Sequence, residues 1–231
     1  MTVPQLHQTA LHSGRFPNVT ARRLRNLVAE CFAPRYLVDD GTPAFNLKRL
    51  LPVLSSTELQ QMLLLFTCRA NAILADFIRD VYWQKYAGGY SELSNDDARA
   101  FVTRSIDQGK TAKRWAETTV KRVSTYLTGC AADYGLLEDG SKSTRRLLLY
   151  RIAPRVSAYL AYDLHLAGIG DNALLDHEDW QLFGLSHHDV LDEIKRLSLQ
   201  GLLIVQGAGQ AIKISWKFKE METLSDVLTQ S

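Results

Sequence analysis

Apolar residues recur along most of this chain with the 3.6-residue period of helices, and only twice does the period shorten to that of strands. From Thr20 the stripe Leu24, Leu27, Val28, Cys31 and Phe32 predicts a helix that Pro34 ends, and the turn-forming run Asp39-Asp40-Gly41-Thr42-Pro43 follows. Ser55 with Glu58 three positions later has the capping-box pattern. It opens a stripe that runs from Leu59 to Val81 and closes at Gly88-Gly89. That is longer than the roughly 8–20 residues of a usual globular helix, so the pattern predicts two helices with a break near Cys68.

Ser94 and Asp97 cap the next helix, with Phe101, Val102 and Ile106 facing inward and Gly109 as its stop. Another helix is expected from Thr111 to Tyr134, its apolar face reading Ala112, Trp115, Ala116, Val120, Val123, Leu127, Cys130 and Ala131; this places Trp115 in the core. Gly135 supplies the left-handed stop. Then the period changes. Leu136-Leu137-Glu138, a turn around Asp139-Gly140-Ser141, and residues 145–152 predict two short strands around a polar loop. Pro154 fits the first turn of a helix that ends at Gly168.

The C-terminal segment repeats that order. Ser186 and Asp189 cap a helix with Val190, Leu191, Ile194 and Leu197 inward and Gly201 as its stop. A hairpin follows, turning at Gly207-Ala208-Gly209; Ile212, Ile214, Trp216 and Phe218 share one face of its second strand, and Lys213, Ser215, Lys217 and Lys219 the other. Helix, helix and short β wing is the order of a winged helix-turn-helix module. The expected fold is mainly α: a helical N-terminal region over 1–93 and two winged helix-turn-helix modules with short β-hairpin wings, over 94–170 and 171–231.

Composition adds limits. Hydrophobic residues make up 46% of the 231 and charged residues 23%, a globular balance that excludes global disorder. No apolar run approaches the roughly 18 residues of a membrane span, and no basic leader precedes an apolar stretch, so a soluble cytoplasmic protein is expected. Cys31, Cys68 and Cys130 lack metal spacing and are odd in number, which predicts reduced core residues. The net charge of +2 hides a gradient: residues 104–170 hold 11 basic and 6 acidic side chains, whereas residues 171–231 hold 5 and 10. The middle segment is the candidate for binding an anion, and the acidic segment suits folding or protein docking.

Within the middle segment Arg114, Thr118 and Lys121 are spaced to share the outer face of the predicted 111–134 helix, with Arg122 at its edge. Lys110 and Lys113 fall at its expected start, and Lys142, Arg145 and Arg146 on the wing. Cations and hydroxyls at helix start, helix face and wing together suit phosphate contacts along double-stranded DNA more than base reading; the alternative is a solvated basic face. Arg22, Arg23 and Arg25 form a possible second basic patch, early in a helix where cations oppose the helix dipole.

Catalytic signals are weak. Gly140-Ser141-Lys142-Ser143-Thr144 echoes a phosphate-binding loop, but Leu136 stands where the first glycine is needed, six positions before Lys142. His177-Glu178 lacks a second histidine at metalloprotease spacing, and no nucleophile–base pairing stands out. Neither a cofactor nor a metal is expected, nor is enzymatic activity.

The run Arg69-Ala70-Asn71 through Trp83, the segment Trp115-Ala116-Glu117-Thr118 leading to Asp133-Tyr134-Gly135-Leu136-Leu137, and Gly201-Leu202-Leu203 with Ile214-Ser215-Trp216 resemble the BrxA family, a small component of bacterial BREX (bacteriophage exclusion) defence systems. The resemblance covers roughly residues 20–220 and supplies no active-site residues. It implies an all-α protein with winged-helix character and some likeness to NusB-type helical proteins. It also implies DNA binding and work beside a methyltransferase, an ATPase and a phosphatase-like protein. Three functions compete: a non-enzymatic DNA-binding defence component, a protein-interaction adaptor assembling the complex, and a winged-helix transcriptional regulator. RNA binding is a weaker fourth, because the chain offers no aromatic platform for single strands.

Overall fold

Several helix starts in this chain are set by side chains that reach back to backbone donors the helix leaves open. The computed structural model describes residues 2–140, 143–208 and 211–230. They form a mainly helical protein of two compact units, residues 2–54 with 225–230 and residues 55–224.

The smaller unit begins with α1 (Val3–His12), capped by Thr2 and Gln5, and continues through α2 (Ala21–Asn26), capped by Thr20. The chain then winds as a π-helix over Leu27–Phe32 and re-enters α geometry as α3 (Ala33–Tyr36). Pro34 was expected to end the helix and does not. It falls where the π winding passes into α3, and the helix runs on to Tyr36. Asp40 and Gly41, both at positive φ, turn the chain into α4 (Thr42–Leu50). Leu24, Val28, Tyr36 and Leu50 are among the buried side chains of these helices, and Asp226 pairs with Arg49 of α4.

In the larger unit α5 (Ser56–Ala70) starts at the predicted capping box: Ser55 Oγ accepts from the Glu58 amide at 3.2 Å while Glu58 accepts from the Ser55 amide at 2.8 Å. The long apolar stripe breaks three residues after Cys68, at Asn71, whose side chain accepts from Leu74 to start α6 (Ala72–Phe77). A π turn over Ile78–Tyr82 carries the helix into α7 (Trp83–Ala87). No single helix among the described residues is long and apolar enough to cross a membrane; α5 with the helical run to Ala87 has the composition only as a pair bent by 117°.

Strand β1 (Glu92–Ser94) enters α8 (Asn95–Asp107), where Ser94 and Asp97 form the second predicted capping box. Then comes α9 (Glu117–Asp133), followed by β2 (Thr144–Arg146). β2 was expected to pair with residues 136–138. Its main partner is β1, antiparallel with Leu93 opposite Arg145, and residues 136–138 add one bridge, Leu137 to Leu147. Leu93, Leu136 and Leu137 are all buried, so burial of Leu93 gives the strand an inner partner that its three-residue length hides in the sequence.

α10 (Pro154–Leu166) has Pro154 at its start and lies in the core, with Tyr159 edge-on to Phe66 of α5 at 6.0 Å. Short α11 (Asp171–Leu175) and α12 (Glu178–Gln181) precede α13 (His187–Leu199), capped by Ser186 and Asp189. β3 (Leu203–Ala208) and β4 (Ala211–Trp216) form the expected antiparallel hairpin, with Ile214 and Phe218 buried and Lys213 and Lys219 exposed. The Asp171 carboxylate accepts from the Ile214 amide at 2.8 Å and the Trp216 indole at 3.2 Å. α14 (Met221–Gln230) closes the chain, with Leu224 and Leu228 buried. Ser141, Lys142 and the turn residues Gly209 and Gln210 lie outside the described residues.

The three carboxylate-bearing boxes make stability pH-dependent. Burial pushes Glu58 and Asp97 up, but the Ser55 and Ser94 donors with Arg155 and Lys85 outweigh it, so both carboxyls are held below their ordinary range. Asp189 is lowered chiefly by its bonds from Ser186. A carboxylate whose folded value is depressed contributes stability that is present above its unfolded value and lost as pH falls through the folded one. Melting temperature should therefore hold steady down to about pH 4.5 and fall progressively below it. Ser94→Ala should remove about 1 kcal/mol at neutral pH and flatten the acid limb.

Candidate nucleic-acid interface

The predicted basic site lies on three elements, and they do not share one helix face. Helix α9 starts at Glu117, six residues later than its apolar period suggests. Residues 110–116 run as a loop in which the Thr111 hydroxyl donates to the Lys113 carbonyl at 3.0 Å. Such a local bond competes with the helical one. Glu117 then supplies negative charge to the first turn and pairs with Arg99. Lys110, Lys113 and Arg114 therefore belong to the loop. Lys110 is tied to Asp76 at 3.1 Å and Arg114 approaches Asp107 at 3.7 Å, while Lys113 is exposed. Trp115, expected in the core, is half-buried at the loop's end.

On α9 itself Thr118, Lys121 and Arg122 are exposed together with Thr125, as the spacing requires, and Val120, Leu127 and Ala131 are buried on the opposite side. Between Thr118 and Ala132 the helix carries no acid, and neither Lys121 nor Arg122 makes an ion pair with another described residue. Tyr126, 63% exposed and next to Thr125, is a surface aromatic that the sequence reading left out. Gly129 lies one turn beyond Thr125, with open space where a Cβ would stand. Gly129→Ala should stabilise the protein by about 0.5–1 kcal/mol in chemical denaturation, because a helical glycine loses more backbone freedom than alanine.

The wing arginines separate. Arg145 shares the inner face of β2 with Leu93: its Nη1 donates to the Glu138 carbonyl at 3.2 Å, and its Nε is buried without a partner among the described residues. Arg146 points the other way, exposed and 3.8 Å from Glu138. Lys142 lies outside the described residues. Arg22, Arg23 and Arg25 are all exposed on α2 in the smaller unit.

Helix α13, in the acidic segment, offers a contrast. Lys195 pairs with Asp192 at 2.9 Å, Arg196 pairs with the buried Glu193, and His187 lies 2.8 Å from Asp176. Several acids of this segment are occupied internally: Asp171 holds β4, and Asp179 is buried against Arg69. Its surface is consequently less repulsive to phosphate than its charge count suggests, yet it presents no unpaired cation on α13 among the described residues.

Beside this geometry stands a family match. The model of the BrxA family matches residues 5–163, more than half of the chain. The chain belongs to the BrxA family. Membership makes it part of a BREX system, which has other components. The match spans α1 to α10 and so includes α9 and β2, but not α13 or its hairpin. No curated protein and no solved structure matches the chain.

Proposed function

We propose that this BrxA-family chain is a non-enzymatic double-stranded-DNA-binding component of its BREX system, acting in the cytoplasm where that DNA lies. Residues 94–170 and 171–231 would form two winged helix-turn-helix modules, of which the first meets the duplex. The observation that carries the reading is α9: an exposed face of Thr118, Lys121, Arg122 and Thr125 with two unpaired cations and no acid between Thr118 and Ala132. The chain order supports it, since β1, α8, α9 and the strands bridged at Leu137 and Leu147 follow one another as in a winged helix, where the second helix enters the major groove. Arg146, exposed on β2, and Lys113, exposed in the loop before α9, would add backbone contacts. The self-paired surface of α13 favours folding or partner contact for the second module.

Affinity for random-sequence duplex, measured by fluorescence anisotropy between about 50 and 200 mM salt, should fall with a log–log slope of roughly −4, given four or five phosphates neutralised at about 0.9 each. Replacing Lys121 and Arg122 together by Ala should flatten that slope by about 2 and weaken all duplexes alike. A folded double variant with an unchanged slope removes α9 from the interface.

A further inference from the structure

The smaller unit contains an apolar groove of about 830 Å³ between α1 and the helical run from α2 to α3. Leu6 and Ala10 line it from α1, and Leu27, Val28, Cys31 and Phe32 from the π segment. The walls resemble a core that lacks its last layer: α1 has no buried residue, and Phe16, Leu27 and Phe32 are 45%, 41% and 37% exposed. The π winding maintains this wall. In an α-helix Leu27 and Phe32, five apart, would diverge by about 140°; the wider turn brings both to the groove, and such segments recur at functional sites.

Charge selects the occupant. Among the described residues the charged side chains lining the groove are Arg15 and Arg35, neither of them ion-paired with a described residue, and the exposed Arg22, Arg23 and Arg25 extend the positive surface along α2. Backbone groups of the helices that line the groove are used within those helices, so it offers no strand edge to extend. An occupant must bring its own satisfied backbone, as an amphipathic helix does. We propose that this groove docks an acidic amphipathic helix of a partner protein, apolar side chains inward and carboxylates toward Arg15 and Arg35.

The test uses the full chain and two labelled helix-forming peptides of about 18 residues. Both carry Leu at i, i+3, i+4 and i+7; one has Glu and the other Lys at the flanking positions. Fluorescence anisotropy should show saturable binding of the Glu peptide and at least ten-fold weaker binding of the Lys peptide. Leu27→Glu, at an exposed position, should weaken the Glu peptide ten-fold or more with unchanged circular dichroism, and Arg15→Glu with Arg35→Glu should reverse the preference. Equal binding of the two peptides, no binding of either, or indifference to Leu27→Glu overturns the proposal. So does a dimer of this chain that Leu27→Glu dissociates in sedimentation, which would give the groove to a second copy.

Discussion

Gly184→Ala should lower stability by about 3 kcal/mol, among the largest effects of any single methyl group added to this chain. The glycine sits at φ +71 after α12, and an added Cβ would lie 2.5 Å from Cε3 of the Trp83 indole. That ring has nowhere to go. Its Nε1 donates to the Leu182 carbonyl at 3.0 Å, and it is edge-on to Tyr82, Tyr86 and Tyr150 at 4.9, 5.2 and 6.1 Å. Two penalties add: a left-handed backbone that disfavours any Cβ by about 1 kcal/mol, and overpacking of about 1–3 kcal/mol. Gly201→Ala isolates the first, because Gly201 also has φ +71 but open space around its Cβ. Urea denaturation should place Gly201→Ala near 1 kcal/mol and Gly184→Ala well beyond it; equal losses would show that the indole yields.

Arg69→Met should cost a similar amount by a different route. The guanidinium at the end of α5 binds Asp163 of α10 at 2.7 Å and Asp179 of α12 at 2.8 Å, with a second bond from Nε to Asp179 at 2.9 Å. Burial disfavours its charge, but the two carboxylates outweigh that and raise its pKa. Removing the cation strands Asp179, whose side chain is only 6% exposed. Breaking a buried pair by deleting one partner costs about 3–5 kcal/mol, and the 30% exposure of Arg69 places this case near 3. A triple variant with Asp163→Leu and Asp179→Leu should recover most of the loss, because what destabilises is the unpaired carboxylate rather than the missing attraction. A triple variant no more stable than Arg69→Met would show that the arginine's contribution is packing.

The same contrast between local and distant causes decides how much of this fold could be read from the sequence. The boxes at Ser55, Ser94 and Ser186, the break at Asn71 and the start at Pro154 were all legible within a few residues, because caps and breakers act over one turn. β1 was not, since three residues carry no period and Leu93 becomes a strand only against β2. The helices α1, α4 and α14 were passed over although Thr2 with Gln5 caps the first of them. The π segments defeated a fixed 3.6-residue template, and with it the expectation that Pro34 ends a helix. At the candidate interface the chemistry was legible and the placement only partly so. Lys121 and Arg122 are exposed on α9 as their spacing required. Ala112, Trp115 and Ala116 carried the apolar period backward into a loop that the Thr111 hydroxyl holds out of helical form, which moved Arg114 off the helix. Strand pleat, invisible without a known partner strand, turned Arg145 inward and Arg146 outward.

The carboxylate of Asp171 has a bearing on how this protein behaves in a crowded cell. A two-stranded hairpin leaves its outer strands with open amide groups, the template on which foreign strands add and aggregates grow. Along β4 those amides are taken: Ile214 donates to Asp171, and Ile212 to the Asn172 side chain at 3.3 Å. One turn of helix thus acts as a doorstop on the sheet's free edge, filling with side-chain oxygens the positions another chain's carbonyls would occupy. The negative charge adds repulsion toward any polyacidic strand that approaches. An element of five residues, which also buries Leu174 and Leu175, thereby covers the edge on which another chain's strand would add.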